Sequence, residues 1–174
     1  MAKGIHTELT FETAIEISLL EYGAYVKGYS IDFDADLGIF PKYVIEFLKN
    51  SQPLQWDKLA NMHKDAVETK VIQRLLKDLD THGTLHVLRN GFTDYGVKFN
   101  MAFFRPESAL NPEAELLYRK NHLAVTRQLY YQRKGKNSLD MVLSLNGLPI
   151  STIELKNQFS GQNISNAKKQ YQFD

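Results

Sequence analysis

The sequence predicts a mixed α/β fold, a central and largely antiparallel sheet flanked by helices. Three observations carry that expectation. Residues 9–22 and 54–80 place apolar side chains at helical spacing. Stretches around 84–104 and 123–155 are short apolar runs separated by Gly, Asn and Asp, the pattern of strands and hairpins. A length of 174 residues, 43% hydrophobic and 24% charged, suits one soluble domain with a real core.

In chain order, MAKGIHTELTFET has no apolar segment of signal-peptide length, and no run approaches a membrane span. Leu9 to Tyr22 reads as a helix, capped by Thr7 or Thr10 and ended by Gly23. Phe11, Ile15, Ile17, Leu19 and Leu20 surround much of its circumference, which predicts a largely buried element. Glu8, Glu12 and Glu16 form a stripe among those apolar residues; by spacing alone it reads as an exposed acidic seam. Asp32, Asp34 and Asp36 alternate, but without the glycine and terminal glutamate of a calcium loop they predict a solvated loop.

Tyr43 to Lys49 is a short helix broken by Asn50-Ser51-Gln52-Pro53, and Leu54 to Asp80 reads as one long helix. Lys58, Lys64, Lys70, Arg74 and Lys77 stud it as a solvated face. Strands are expected from Thr84 to Arg89, from Val97 to Phe104 and from Leu123 to Gln132. The basic loop Arg133-Lys134-Gly135-Lys136 then leads into a hairpin, KNSLDMVLSLNGLPISTIELKNQ, folded over Asn146-Gly147. That loop directly precedes Asp140, so Arg133, Lys134 and Lys136 are candidate contacts to a DNA backbone. A terminal helix is expected from Ile164 to Phe173.

Three charges interrupt the hairpin's apolar pattern: Asp140, Glu154 and Lys156. A two-residue turn pairing Leu145 with Leu148 would place Asp140 and Glu154 on opposite faces. A three-residue loop, Leu145-Asn146-Gly147 with a left-handed glycine, brings all three charges to one face and leaves Leu139, Met141, Leu143, Ile153 and Leu155 on the other. The odd-length loop is therefore predicted. Two carboxylates in proximity repel; a divalent cation relieves the repulsion and polarises a phosphate oxygen, and a lysine alongside stabilises developing charge. Hard oxygen ligands favour Mg²⁺, with Mn²⁺ as the alternative, over zinc. Read without that chemistry, the same residues make a surface hairpin with a Glu/Lys cross-strand pair of about 0–1 kcal/mol.

Asp140, Glu154-Leu155-Lys156 and the surrounding LDMVLSLNGLPISTIELKN resemble the PD-(D/E)xK motif as used by the restriction (R, motor) subunit of type I restriction-modification enzymes. The resemblance extends through QPLQW, VLRNGF, FFRPES and YRKNHLAVTRQL to Gly161-Gln162 and Ala167–Tyr171. It implies a restriction-endonuclease-like core and Mg²⁺-dependent cleavage of double-stranded DNA, coupled in the full-length protein to ATP-driven translocation. It also implies that Asp140 and Glu154 hold the metal with the Leu155 carbonyl, that Lys156 positions water, and that the N-terminal helix supplies a further acid, Glu12 in the first place and Glu8 in the second. Gln170 stands where related nucleases carry the Gln of a Q-x-x-x-Y element, although Asp174 replaces its tyrosine. The implied partners are duplex DNA and the methyltransferase and specificity subunits.

No G-x-x-x-x-G-K-[ST] occurs, so residues 1–174 are read as the N-terminal nuclease domain of a longer chain, with ATP bound by motor domains elsewhere. The absence of cysteine fits a reducing cytoplasm. A balance of 21 basic to 20 acidic residues means that any positive charge used on DNA is localised. The rival expectation is a degenerate nuclease fold, kept as a module for DNA binding or subunit docking.

Overall fold

A computed structural model of the protein describes residues 8–107, 111–132 and 137–155. Among them the chain forms six α-helices and six strands. A four-stranded sheet has the order β1-β4-β5-β6, where β1 is Val26–Lys27, β4 Leu123–Tyr130, β5 Ser138–Leu145 and β6 Leu148–Ile153. β1 runs parallel to β4, and the other pairings are antiparallel. The expected mixed, largely antiparallel architecture is therefore present, although β6 is an edge strand among the described residues and the hairpin is not central.

Helix α1 (Glu8–Tyr22) packs on one face of the sheet, where Ile15 and Leu19 meet Val125, Met141 and Leu155. On the other face Phe40 and Tyr43 cover Ala124, Leu129 and Val142. There α2 (Pro41–Ser51), α3 (Pro53–His63), α4 (Val67–His82) and α5 (Thr84–Asn90) build a larger apolar cluster around Leu48, Leu59, Val71, Leu75 and Val87. A second small sheet, β2 (Phe92–Asp94) with β3 (Val97–Phe99), packs Phe92 and Phe99 into it. Helix α6 (Pro112–Tyr118) begins where the Asn111 side chain accepts a hydrogen bond from the Ala114 N–H. No helix among the described residues is long and apolar enough to cross a membrane.

Two local expectations fail. The single helix over 54–80 is broken: α3 ends at His63, Lys64 takes φ 51°, and a 3-10 turn over Lys64–Ala66 redirects the chain into α4. The break lets Trp56 and Leu59 of α3, and Val71 and Leu75 of α4, all face one cluster. Thr84–Arg89 is helical, not a strand. Gly83 at φ 80° starts the turn, and Val87 and Leu88, adjacent in sequence, are both buried, which alternation along a strand would forbid.

The loop containing Asp32, Asp34 and Asp36 is tied down locally. Asp34 Oδ1 accepts from the Asp36 and Leu37 N–H groups, and the Tyr43 hydroxyl donates to Asp32 Oδ2 at 2.8 Å. Burial, then the bond to Asp32, pushes Tyr43 from its ordinary 10.0 up to about 12. The folded state thus holds the phenolic proton more tightly than the unfolded chain. This contribution is intact below pH about 10 and lost as pH rises toward about 12, a loss of roughly 2–3 kcal/mol. Urea unfolding across that window should show the decline, and Tyr43→Phe should flatten it.

Candidate active site

The hairpin that carries Asp140 and Glu154 turns over two residues, not three. Asn146 (φ 52°) and Gly147 (φ 85°) make the turn, and Leu145 pairs with Leu148. Burial fixes this choice. The Asn146 amide donates to the Met101 carbonyl and to Asn121 Oδ1, and its Oδ1 accepts from the His122 N–H. The Gly147 carbonyl accepts from Phe40 N–H at the start of α2. A surface loop could take either length, but a turn whose asparagine side chain and glycine carbonyl are both bonded to the layer beneath cannot.

A two-residue turn alone would separate the acids. The ladder, however, is not regular: Ser144 pairs with Pro149, and the register then shifts so that Leu143 pairs with Ser151. Ile150 is the inserted residue of a β-bulge. One extra residue reverses the parity of everything beyond it, so Met141 pairs with Ile153, and the same register carried one rung past the end of β6 would set Asp140 against Glu154. The bulge reverses the parity as the odd loop was expected to. The end of the hairpin is drawn together by Asp140 Oδ2, which accepts from the Leu155 N–H at 2.6 Å. Glu154 Oε1 is shielded from solvent, and the buried Leu155 side chain packs toward α1. Of the expected aliphatic face, Met141, Leu143, Ile153 and Leu155 cluster with α1. Leu139 instead joins the cluster on the opposite side of the sheet.

That exception has a cause in β4. Gln128 lies across from Asp140, between the Arg127–Met141 and Leu129–Leu139 pairs, and has φ 48°. A left-handed glutamine inside a strand costs on the order of 1–2 kcal/mol. It twists the ribbon so that Leu129 sits with Ala124 and Val142, where strict alternation would send it to the other face. The kink falls at the Asp140 rung.

Helix α1 inverts the expected pattern. Leu9, Phe11, Ile17 and Leu20 are exposed, whereas Glu12 and Glu16 are buried, at 3% and 7% relative exposure. Buried carboxylates need a partner, and β4 provides it. Arg127 donates from Nε to Glu12 Oε2 at 2.9 Å and from Nη1 to Glu16 Oε2 at 3.0 Å, with Nη2 in an ion pair with Glu12 Oε2 at 2.9 Å. Burial alone would lower the Arg127 pKa, but the bonds to Glu16 and Glu12 and their charges outweigh it and raise it. Gln128 Nε2 donates to the remaining Glu12 oxygen, Oε1, at 2.7 Å, and Gln128 Oε1 accepts from Ser138 Oγ at 3.2 Å. Glu12 is therefore not an exposed seam: Arg127 bonds its Oε2 and Gln128 its Oε1.

Among the described residues no three His, Cys, Asp or Glu side chains gather as a metal cage. The carboxylates available at the hairpin are fewer: Asp140 and Glu154, joined through the Leu155 N–H that donates to Asp140 Oδ2. That set fits Mg²⁺, which keeps several waters and takes one or two carboxylates together with substrate phosphate. Of the other predicted site residues, Lys156, Gln170, Arg133, Lys134 and Lys136 lie outside the described residues. Arg127 and Gln128 stand in the RQL run of the resemblance and are expected to approach the site or to be buried structurally; what the sequence leaves unread is the pairing of Arg127 with α1. Its signal was an acidic stripe among apolar residues, which demands a buried cation, but nothing in the spacing says which one.

No curated protein and no solved structure matches the chain. A family model described as "Type I restriction enzyme R protein N terminus" matches residues 48–174, from within α2 to the last residue, leaving α1 outside the match. The chain belongs to this family of R-protein N-terminal regions of type I restriction enzymes.

Proposed function

We propose that residues 1–174 form a nuclease domain that cuts double-stranded DNA with Mg²⁺, Mn²⁺ being able to substitute. The observation that supports this most is the hydrogen bond from the Leu155 N–H to Asp140 Oδ2 at 2.6 Å, which ties the Glu154-Leu155 segment to Asp140, in a chain of the R-protein family. In this reading Asp140, Glu154 and the Leu155 carbonyl hold the ion. When bound, such an ion polarises a phosphate oxygen and lowers the pKa of water.

The chain's own groups do the rest. Asp140 uses Oδ2 to pin the Leu155 N–H, which fixes the direction of the neighbouring main chain. Lys156, the second residue after Glu154, orients the attacking water and balances charge on the phosphate. Gln170 assists from the segment beyond. Arg133, Lys134 and Lys136 bind backbone phosphates without reading bases. Glu12, whose oxygens are taken by Arg127 and Gln128, acts from the outer shell and not as a direct ligand. In a full type I assembly the methyltransferase and specificity subunits would select the site, motor domains would bind ATP and translocate DNA, and all would work in the cytoplasm.

Titrating the chain with Mn²⁺ in a calorimeter tests this reading. The unsubstituted chain should bind the ion, and Asp140→Ala should lose that binding. In the full complex, Asp140→Ala or Lys156→Ala should abolish cleavage and leave ATP hydrolysis intact. Equal Mn²⁺ binding by the Asp140→Ala variant, or retained cleavage, would leave the docking-module reading in its place.

A further inference from the structure

We infer that Gln128 is a positioning residue for the Asp140–Glu154 site, an amide that fixes Glu12 of α1 beside the Asp140 rung. The inference rests on the nuclease reading above and adds a residue to it. Three features converge on Gln128. Its backbone is left-handed at φ 48° in the interior of an eight-residue strand, a conformation its side chain does nothing to favour. It occupies the rung opposite Asp140. Both ends of its amide are used, Nε2 on Glu12 Oε1 at 2.7 Å and Oε1 under Ser138 Oγ at 3.2 Å, so one side chain joins α1, β4 and β5.

Packing does not explain this arrangement. Gln128 is exposed, and a glycine would meet the backbone requirement without strain. Arg127 neutralises Glu12 from the Oε2 side, and the Gln128 amide supplies the bond to the other oxygen. What the amide adds is direction. With Oε2 anchored to the guanidinium and Oε1 anchored to the amide, the carboxylate plane of Glu12 cannot rotate. That orientation is tied, through Gln128, to the position in β4 between the Arg127–Met141 and Leu129–Leu139 pairs, the level of Asp140 in β5. Groups that orient a metal shell from one bond away typically change ion affinity or turnover by about 10- to 100-fold when removed.

Gln128→Gly separates the roles, because it keeps the left-handed backbone and deletes the amide. Its thermal midpoint should equal or exceed that of the unsubstituted chain, while calorimetric Mn²⁺ affinity falls about 10- to 100-fold. A melt that holds with Mn²⁺ affinity unchanged would overturn the inference. Gln128→Glu, which keeps the length but sets a second carboxylate against Glu12, should not rescue affinity; full rescue would also overturn it, since length and not the amide donor would then suffice. Asp140→Ala run alongside distinguishes the two levels. If it loses Mn²⁺ binding while Gln128→Gly does not, the positioning role fails and the site stands. If Asp140→Ala binds Mn²⁺ as well as the unsubstituted chain, the site and the positioning role fall together.

Discussion

Replacing Arg127 by alanine should destabilise the fold by about 3–5 kcal/mol, because it strands two buried carboxylates. Glu12 and Glu16 side chains are only 4% and 9% exposed, and Arg127 donates to both. Lys27 reaches Glu16 at 3.7 Å but is itself 57% exposed, too screened to replace the guanidinium. Without Arg127 the acids must take up protons or α1 must lift from the sheet, exposing Ile15, Leu19 and Leu155. Chemical denaturation reads the loss directly. Arg127→Lys should recover little, since one ammonium cannot donate along two edges at once. The informative companion is Glu12→Met/Glu16→Leu/Arg127→Met, which replaces the buried charges together by apolar side chains of similar volume. Its stability should return to near that of the unsubstituted chain, as apolar replacement of buried ion pairs commonly allows. If Arg127→Ala melts with its parent, the guanidinium is not what buries the acids.

The second large effect is expected at Gly147. A Cβ there would lie 2.6 Å from Val44 Cγ2 and 2.7 Å from both the Phe40 carbonyl oxygen and the Val44 nitrogen, all at the start of α2. The two main-chain atoms belong to a helix that cannot retreat without breaking the bond from Phe40 N–H to the Gly147 carbonyl. Added to the cost of a left-handed alanine at φ 85°, Gly147→Ala should lose about 2–5 kcal/mol. Gly38 supplies the control: its φ is 67° but nothing lies within 4 Å, so Gly38→Ala should carry only the conformational cost of about 1 kcal/mol. The difference between the two urea midpoints isolates the collision. Similar losses at both positions would mean that the turn is not wedged against α2.

What could be read in advance followed from local chemistry. α1, α2, β4 and the β5–β6 hairpin were legible because spacing, Pro41, Gly23 and Asn146-Gly147 each speak for their own segment. Thr84–Asn90 was not, because its aliphatic residues satisfy either period and the deciding fact, joint burial of Val87 and Leu88 beneath α4, is tertiary. The inward turn of α1 was hidden for a similar reason. Glu12 and Glu16 look like solvent residues until an arginine more than a hundred positions later is brought beneath them. At the hairpin a three-residue loop was expected to bring Asp140 and Glu154 to one face, whereas a two-residue turn with a bulge at Ile150 sets the register. A bulge at Ile150 leaves no mark in composition, since Pro149-Ile150-Ser151 would serve equally in a regular edge strand.

Ile150 gives the ribbon two independent ends. The loop end is anchored by Asn146 and Gly147 to the helical layer, while the opposite end is phased by a single half-exposed isoleucine. The anchoring can therefore be altered without rotating the acids, and the acids can be rotated without touching the anchor. Deleting one residue between Pro149 and Thr152 would carry Glu154 through half a turn about the strand axis, away from Asp140, in a molecule whose interior is otherwise undisturbed.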